Sequence, residues 1–240
     1  MAALRSALFI VLSSLWTIFY AFVCMATAIL PYRWRYTITG GWNRGVIFMA
    51  RWIVGIDYKV LGRENLPPPN TGAIVLAKHQ SAWETIYLMY GLGNPLCFVF
   101  KRELLWIPFF GWGIGLLRMV AINRKAGQDA YTQMENQARV RLNSGVWMIL
   151  FPEGTRIPVG KKGNYKTGGT RLSVGLNAPI IPIAHNAGYC WPKHSWIKQP
   201  GTIVVSIGPA IYPNGRGMTA VHQEMETWIE NEAARLPQAR

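Results

Sequence analysis

Residues 7–30 carry no charged side chain and consist mostly of Leu, Ile, Phe, Val, Ala and other weakly polar residues. At about 1.5 Å per residue, a helix of that length reaches across the roughly 30 Å of bilayer hydrocarbon, which predicts a membrane helix. A cleaved signal peptide is the rival reading, with Arg5 as its basic flank and Ala26-Thr27-Ala28 as its cleavage site, but the apolar run exceeds the usual length of such a segment. Residues 45–56 (GVIFMARWIVGI) form a second apolar stretch, too short to span and interrupted by Arg51. It fits a helix lying in the membrane interface or an ordinary core helix. Arg33, Arg35, Arg44 and Arg51 follow the first run while only Arg5 precedes it, a bias that places the rest of the chain on the cytoplasmic side.

Leu66-Pro67-Pro68-Pro69-Asn70 can continue neither a helix nor a sheet ladder and marks the entrance to the main body. Beyond it, short apolar runs at 73–78 (AIVLAK), 146–151 (VWMILF), 180–184 (IIPIA) and 202–207 (TIVVSI) read as buried strands. Helical patterns near 81–91, 127–143, 168–177 and 218–235 alternate with them. That order predicts an α/β fold: a mostly parallel central sheet flanked by helices, preceded by an N-terminal membrane-associated helical segment. The division expected is residues 1–60 for the membrane-embedded or interfacial helices and 61–240 for the α/β domain.

Composition sharpens this picture in two ways. Half the residues (50%) are hydrophobic and only 15% are charged, which excludes a disordered chain and supplies one sizeable core. The 25 Lys and Arg against 11 Asp and Glu leave a net charge of +14, which calls for anionic partners: nucleic acid, anionic lipid or phosphorylated substrates. Against nucleic acid, the basic residues are dispersed and no recognised binding motif appears. Cys24, Cys97 and Cys190 are far apart and odd in number, so no disulfide framework or zinc site is indicated and a reducing compartment is expected. His79, His185 and His194 show no metal-ligand spacing, and no metal is expected.

In parallel sheets ligands gather beyond the C-terminal ends of strands. Directly after AIVLAK comes His79-Gln80-Ser81-Ala82-Trp83-Glu84-Thr85. Five residues within one helix is about 140° of rotation, so the imidazole and the carboxylate meet only if His79 lies in the turn and Glu84 in the first helical turn. Glu84 would then keep one ring nitrogen protonated and leave the other as a base aimed at a substrate hydroxyl. Ser81-x-x-Glu84 also fits a capping box, in which the glutamate merely bonds the backbone at the helix start. Both readings stand on sequence alone.

After VWMILF comes Pro152-Glu153-Gly154-Thr155-Arg156, where glycine lets backbone amides approach a ligand and Thr and Arg supply donors suited to a phosphate monoester. A solvated Gly-Thr turn fits the same residues. Lys101 and Arg124 add cations on either side of residues 104–117 (LLWIPFFGWGIGLL), a stretch able to face the membrane, line a channel for a fatty chain or form a buried helix. Lys161, Lys162 and Lys166 form a basic loop whose plain reading is a solvated surface.

Taken together, His79-x4-Glu84, Lys101-x-Glu103-Leu104 leading to Arg124, Phe151-Pro152-Glu153-Gly154-Thr155-Arg156 and Ile181-Pro182-Ile183-Ala184 resemble, in order and approximate spacing, the four motifs of the glycerolipid acyltransferase family. The likeness covers most of residues 70–210. Glu84 stands where that family usually has aspartate, and Ile122 replaces a phenylalanine often found near the arginine. The resemblance implies that His79 is the general base, oriented by Glu84, for transfer of a fatty acyl group to the sn-2 hydroxyl of lysophosphatidic acid, giving phosphatidic acid. The donor would be acyl-CoA or acyl carrier protein, a co-substrate with no cofactor besides. It further implies a glycerophosphate site made of Arg124, Glu153, Gly154, Thr155 and Arg156 with Lys101 nearby, Glu153 positioning an arginine or a glycerol hydroxyl. The expected setting is the cytoplasmic face of the cell inner membrane, whose anionic lipid suits the net charge. Another lyso-lipid acceptor, such as a lysophospholipid or lyso-ornithine lipid, or a non-catalytic anionic-lipid binder, are the alternatives.

Overall fold

The computed structural model describes residues 1–108, 110–123 and 127–238. The apolar N-terminal run forms helix α1 (Ala2–Ala26). Pro31, which cannot continue that helix, opens α2 (Tyr32–Met49), which returns along α1 as an antiparallel hairpin. The two are joined by polar contacts in apolar surroundings: the Trp16 indole N–H donates to the Trp42 carbonyl at 3.2 Å, and the Trp42 indole N–H donates to Thr17 Oγ1 at 3.0 Å. Close approach depends on Gly41 and Gly45, where a Cβ would collide with the Tyr20 and Trp16 side chains of α1. Gly45→Leu is therefore expected to cost about 1–3 kcal/mol, read as a lower Tm in detergent solution; an unchanged Tm would show that the helices are not packed here.

Helix α1 is long and apolar enough to cross a membrane by length and composition. It nevertheless docks on the body near its start, with Ser6 Oγ accepting from the Lys198 N–H at 2.9 Å, and near its end Cys24 Sγ lies 3.5 Å from Thr39 Oγ1 of α2. Its opposite face leaves Leu4, Leu8, Val11, Leu15, Phe19 and Phe22 exposed. At its end, α2 widens into a π-helical turn (Ala50–Val54) that stops at Gly55, whose φ of 90° is left-handed. In the 45–56 stretch Val46, Ile47, Ala50 and Val54 are buried in the core, as the core-helix reading expects, while Phe48 and Trp52 face outward.

The body is a seven-stranded sheet in the order β1-β7-β6-β2-β5-β3-β4. The strands are β1 (Ile56–Leu61), β2 (Ile74–Ala77), β3 (Leu96–Lys101), β4 (Val120–Ile122), β5 (Trp147–Leu150), β6 (Ile180–His185) and β7 (Gly201–Ile207). All pairings are parallel except β6 with β7. The helices that follow α2 are α3 (Trp83–Gly91), α4 (Phe110–Leu116), α5 (Gly127–Asn143), α6 (Gly168–Leu176), the short α7 (Ala187–Cys190) and α8 (Met218–Arg235). Alternation along the central strands splits the core into two layers. Val75, Ile149, Ile181 and Ile183 pack with α2 and α3 side chains such as Val46 and Tyr87; Ile74, Leu76, Met148 and Ile180 pack with Met134, Leu172, Val221 and Met225 of α5, α6 and α8.

The four strands and four helices read from the sequence in the main body occur where the pattern placed them, within a residue or two. Strands β1, β3 and β4 were not foreseen. β1 pairs with β7 from Ile56 to Leu61, so a division at residue 60 falls inside a strand of the sheet. Of the 104–117 stretch, the described residues enter a 3-10 turn (Arg102–Trp106) and α4, leaving Trp106, Ile107 and Trp112 exposed while Leu104, Ile114 and Leu117 turn inward; Phe109 lies outside the described residues.

Candidate active site

The adjacent strands β5, β2 and β6 end side by side, so the residues that follow them, or close them, converge: Glu153 after β5, His79 after β2 and His185 at the end of β6. The turn after β2 leaves few backbone groups unpaired. The Lys78 N–H donates to the Ile183 carbonyl at 2.9 Å, and the Lys78 carbonyl bonds His185 Nε2 at 2.7 Å. The His79 N–H donates to Glu153 Oε2 at 2.9 Å, and its carbonyl accepts the Ile157 N–H at 2.7 Å.

Glu84, in the first turn of α3, is buried, and one of its oxygens does both things the sequence left open. Oε1 accepts the Gln80 and Ser81 N–H groups at 3.0 and 2.8 Å, the capping role, and lies 2.8 Å from His79 Nδ1, the orienting role. Burial alone would raise the Glu84 carboxyl pKa, but His185, the hydrogen bond and charge of His79 and the Ser81 amide together hold it below the usual value. An ionised carboxylate only accepts, so Nδ1 is the donor to Glu84, and in the neutral ring Nε2 then carries the lone pair. Nε2 has no hydrogen-bond partner among the described residues. The ring is fixed from its face by Phe151, with centroids 4.1 Å apart and planes 17° from parallel.

Behind this pair His185 is buried, and burial lowers its pKa. Its Nε2–H donates to the Lys78 carbonyl, while Nδ1 accepts the Ala187 N–H at 3.2 Å. It stiffens the turn from beneath.

His79 stands where two cavities meet. One, of about 370 Å³, is walled by α1, α2 and α4 through apolar and weakly polar side chains such as Tyr20, Trp42, Ile114 and Leu117, with Lys101 at its border. The other, of about 300 Å³, is lined by Gly154, Lys166, Gly168 and Gly169 together with Tyr131 and Met134. Gly154 needs its left-handed φ of 67°, and the Lys166 amine sits over its open face, where a Cβ would lie 3.1 Å from Nζ.

The residues assigned to a phosphate site from sequence are placed unequally. Gly154 lines the second cavity beside His79. Thr155 is exposed and Arg156 half-buried, and Lys193 Nζ bonds Thr155 Oγ1 at 3.3 Å and the Arg156 carbonyl at 2.9 Å. Lys101 lies at the end of β3, half exposed and 3.3 Å from Glu103. Arg124 lies outside the described residues. Glu153 is a correction: its side chain is wholly buried, and it holds Lys78 Nζ at 2.8 Å and the His79 N–H instead of an arginine or a glycerol hydroxyl. A carboxylate sealed in that position offers nothing to a substrate phosphate. Lys166 and Lys193 were missed, because a lysine in a polar loop carries no sequence signal that separates a site from a solvated surface.

A family model described as Acyltransferase matches residues 57–186. The chain is 44% identical, over 98% of its length and 92% of the relative's, to the 1-acyl-sn-glycerol-3-phosphate acyltransferase of Pseudomonas aeruginosa. It is 30% identical to 1-acyl-sn-glycerol-3-phosphate acyltransferase alpha of Mus musculus, over 72% of this chain and 61% of that one. Its fold is that of the crystal structure of the 1-acyl-sn-glycerophosphate acyltransferase PlsC from Thermotoga maritima, with a TM-score of 0.78 at 24% identity, covering 98% of this chain and 97% of that one. By the family model over residues 57–186 and the 44% identity over nearly its whole length, the chain belongs to the glycerolipid acyltransferase family.

Proposed function

We infer that the chain transfers a fatty acyl group to the sn-2 hydroxyl of lysophosphatidic acid, forming phosphatidic acid. The observation that carries this reading is the His79–Glu84 pair, one ring nitrogen held by a buried carboxylate and the other facing the junction of two cavities. Nε2 takes the hydroxyl proton as the oxygen attacks the thioester carbonyl of the acyl donor, acyl-CoA or acyl carrier protein. The imidazolium that forms is balanced by Glu84. When the tetrahedral intermediate collapses, the C–S bond breaks and the thiolate leaves with the proton from Nε2. All transferred atoms come from the two substrates, and the reaction is written with no metal or cofactor.

The apolar cavity suits an acyl chain, and the cations of the turn after β5 suit the phosphate monoester: Lys166, which lines the second cavity with Gly154, and Arg156 and Lys193 along the same turn at Thr155. Purified protein given lysophosphatidic acid or the same lipid without its monoester should show kcat/KM lower by about 100-fold or more for the latter, since several charge-assisted hydrogen bonds are lost. Arg156→Ala should raise KM for lysophosphatidic acid about tenfold with a smaller change in kcat. Equal turnover of both acceptors would defeat the phosphate assignment and favour another lyso-lipid.

The exposed apolar face of α1, the exposed Trp34 and Trp52, and the arginines that follow α1 support association with an anionic membrane, with the catalytic body on the cytoplasmic face of the inner membrane. On this reading the α1–α2 hairpin is the membrane-associated part.

A further inference from the structure

Lys78 is 2% exposed at the end of the central strand β2, an environment that a lysine occupies only when its charge is compensated. Its ammonium has three donors and three acceptors within reach: Glu153 Oε1 at 2.8 Å, Glu230 Oε1 at 2.6 Å and the Lys161 carbonyl at 3.5 Å. Glu153 divides its carboxylate, one oxygen on Lys78 and the other on the His79 N–H at 2.9 Å. Glu230 belongs to α8, beyond the residues that match the family model, and takes a further hydrogen bond from Tyr165 Oη at 2.7 Å. Burial and the neighbouring carboxylates raise the Tyr165 pKa, so its hydroxyl remains a donor. The Tyr165 ring also lies 5.7 Å from the Lys78 amine.

We propose that Lys78 is a positioning residue for the acyl transfer: with Glu153 it forms a buried relay that ties helix α8, through Glu230, to the backbone amide of His79 and so fixes the imidazole against Glu84. The inference rests on the reading of His79 as the base. A well-packed apolar side chain would stabilise the fold as well as a buried ion pair does, so the orientation of the adjacent peptide is what the lysine adds. Without the Lys78 charge, Glu153 is an uncompensated buried carboxylate, and it loses the anchor on Oε1 that aims Oε2 at the His79 N–H. The 78–79 peptide then keeps one of its two bonds, that of the Lys78 carbonyl to His185 Nε2, and the loosened turn lets the ring shift from its 2.8 Å contact.

The test is a cycle of Lys78→Met, Glu153→Gln and the double variant, assayed in the full-length protein with thermal unfolding beside the kinetics. Lys78→Met should lower kcat about 100-fold, with KM for lysophosphatidic acid within about twofold. The double variant removes the Lys78 and Glu153 charges together, and its glutamine carbonyl can still accept the His79 N–H. It should recover about tenfold in kcat over Lys78→Met alone. Glu230→Gln, which keeps the Lys78–Glu153 pair, should lose about three- to tenfold in kcat with KM held. Wild-type kcat in Lys78→Met overturns the relay, as do losses that multiply in the double variant, or a raised KM with kcat intact. Should Lys78→Met fail to fold, wild-type kcat in Glu230→Gln overturns it equally. His79→Ala is assayed in parallel: activity there removes the base assignment itself, whereas an inactive His79→Ala with a multiplicative cycle removes only the relay.

Discussion

Replacing His79 by alanine is expected to lower kcat/KM by about 10³- to 10⁴-fold, the range that a positioned general base supplies. The protein should stay folded and membrane-bound, because the bonds that hold this turn are made by its backbone: the His79 N–H to Glu153 and the His79 carbonyl to Ile157. The lost side chain is 16% exposed, at the meeting point of two cavities, so its removal leaves no sealed void in the core. Binding of the acceptor is expected to persist, since the proposed phosphate and chain sites are made of other residues. Initial rates with labelled acyl donor, together with a binding measurement for lysophosphatidic acid, separate these quantities. Retention of more than about a tenth of wild-type kcat would remove the imidazole from the chemistry.

The second large effect is at Glu84. A glutamine there keeps a carbonyl able to accept the Gln80 and Ser81 N–H groups, so the start of α3 should survive. It carries no charge to balance an imidazolium, and a flipped amide would point its own donors at Nδ1. Glu84→Gln should therefore lower kcat about 100-fold with little change in KM, while circular dichroism reports an intact fold. Were the residue only a cap, kcat would be unaffected. The same variant tests the electrostatics. Because the folded protein holds the Glu84 pKa below its unfolded value, the charge contributes stability that is present above the ordinary carboxylate pKa and lost as pH falls through the depressed one. The Tm advantage of the wild type over Glu84→Gln should accordingly shrink in acid. A difference that is constant with pH would contradict the depressed pKa.

What could be read in the sequence follows the range of the interactions. β2, β5, β6 and the buried part of β7 are apolar on both faces, and such runs announce themselves. β1 alternates, with Lys59 and Leu61 exposed, and β4 has three residues, so neither rises above its neighbours. β3 is half-buried next to it at the same margin of the sheet. The His79–Glu84 pair was legible because five residues fix its geometry once the turn is placed. The double duty of Glu84 Oε1 was not, since capping and orienting looked like rival explanations of one spacing. Glu153 was misassigned because its partner Lys78 is brought to it by strand pairing across 75 residues, and Glu230 by a helix at the far end of the chain.

The hairpin that walls the apolar cavity has a consequence for how this enzyme meets its acceptor. One side of α1 lines the space that reaches His79, through Thr17, Ala21 and Cys24, while the other presents Leu8, Leu15 and Phe22 outward. A lipid entering beside that wall never has to pass through bulk water. Turnover is then governed by the mole fraction of acceptor in the surrounding bilayer or micelle, and adding inert lipid at constant bulk concentration should slow the reaction by surface dilution.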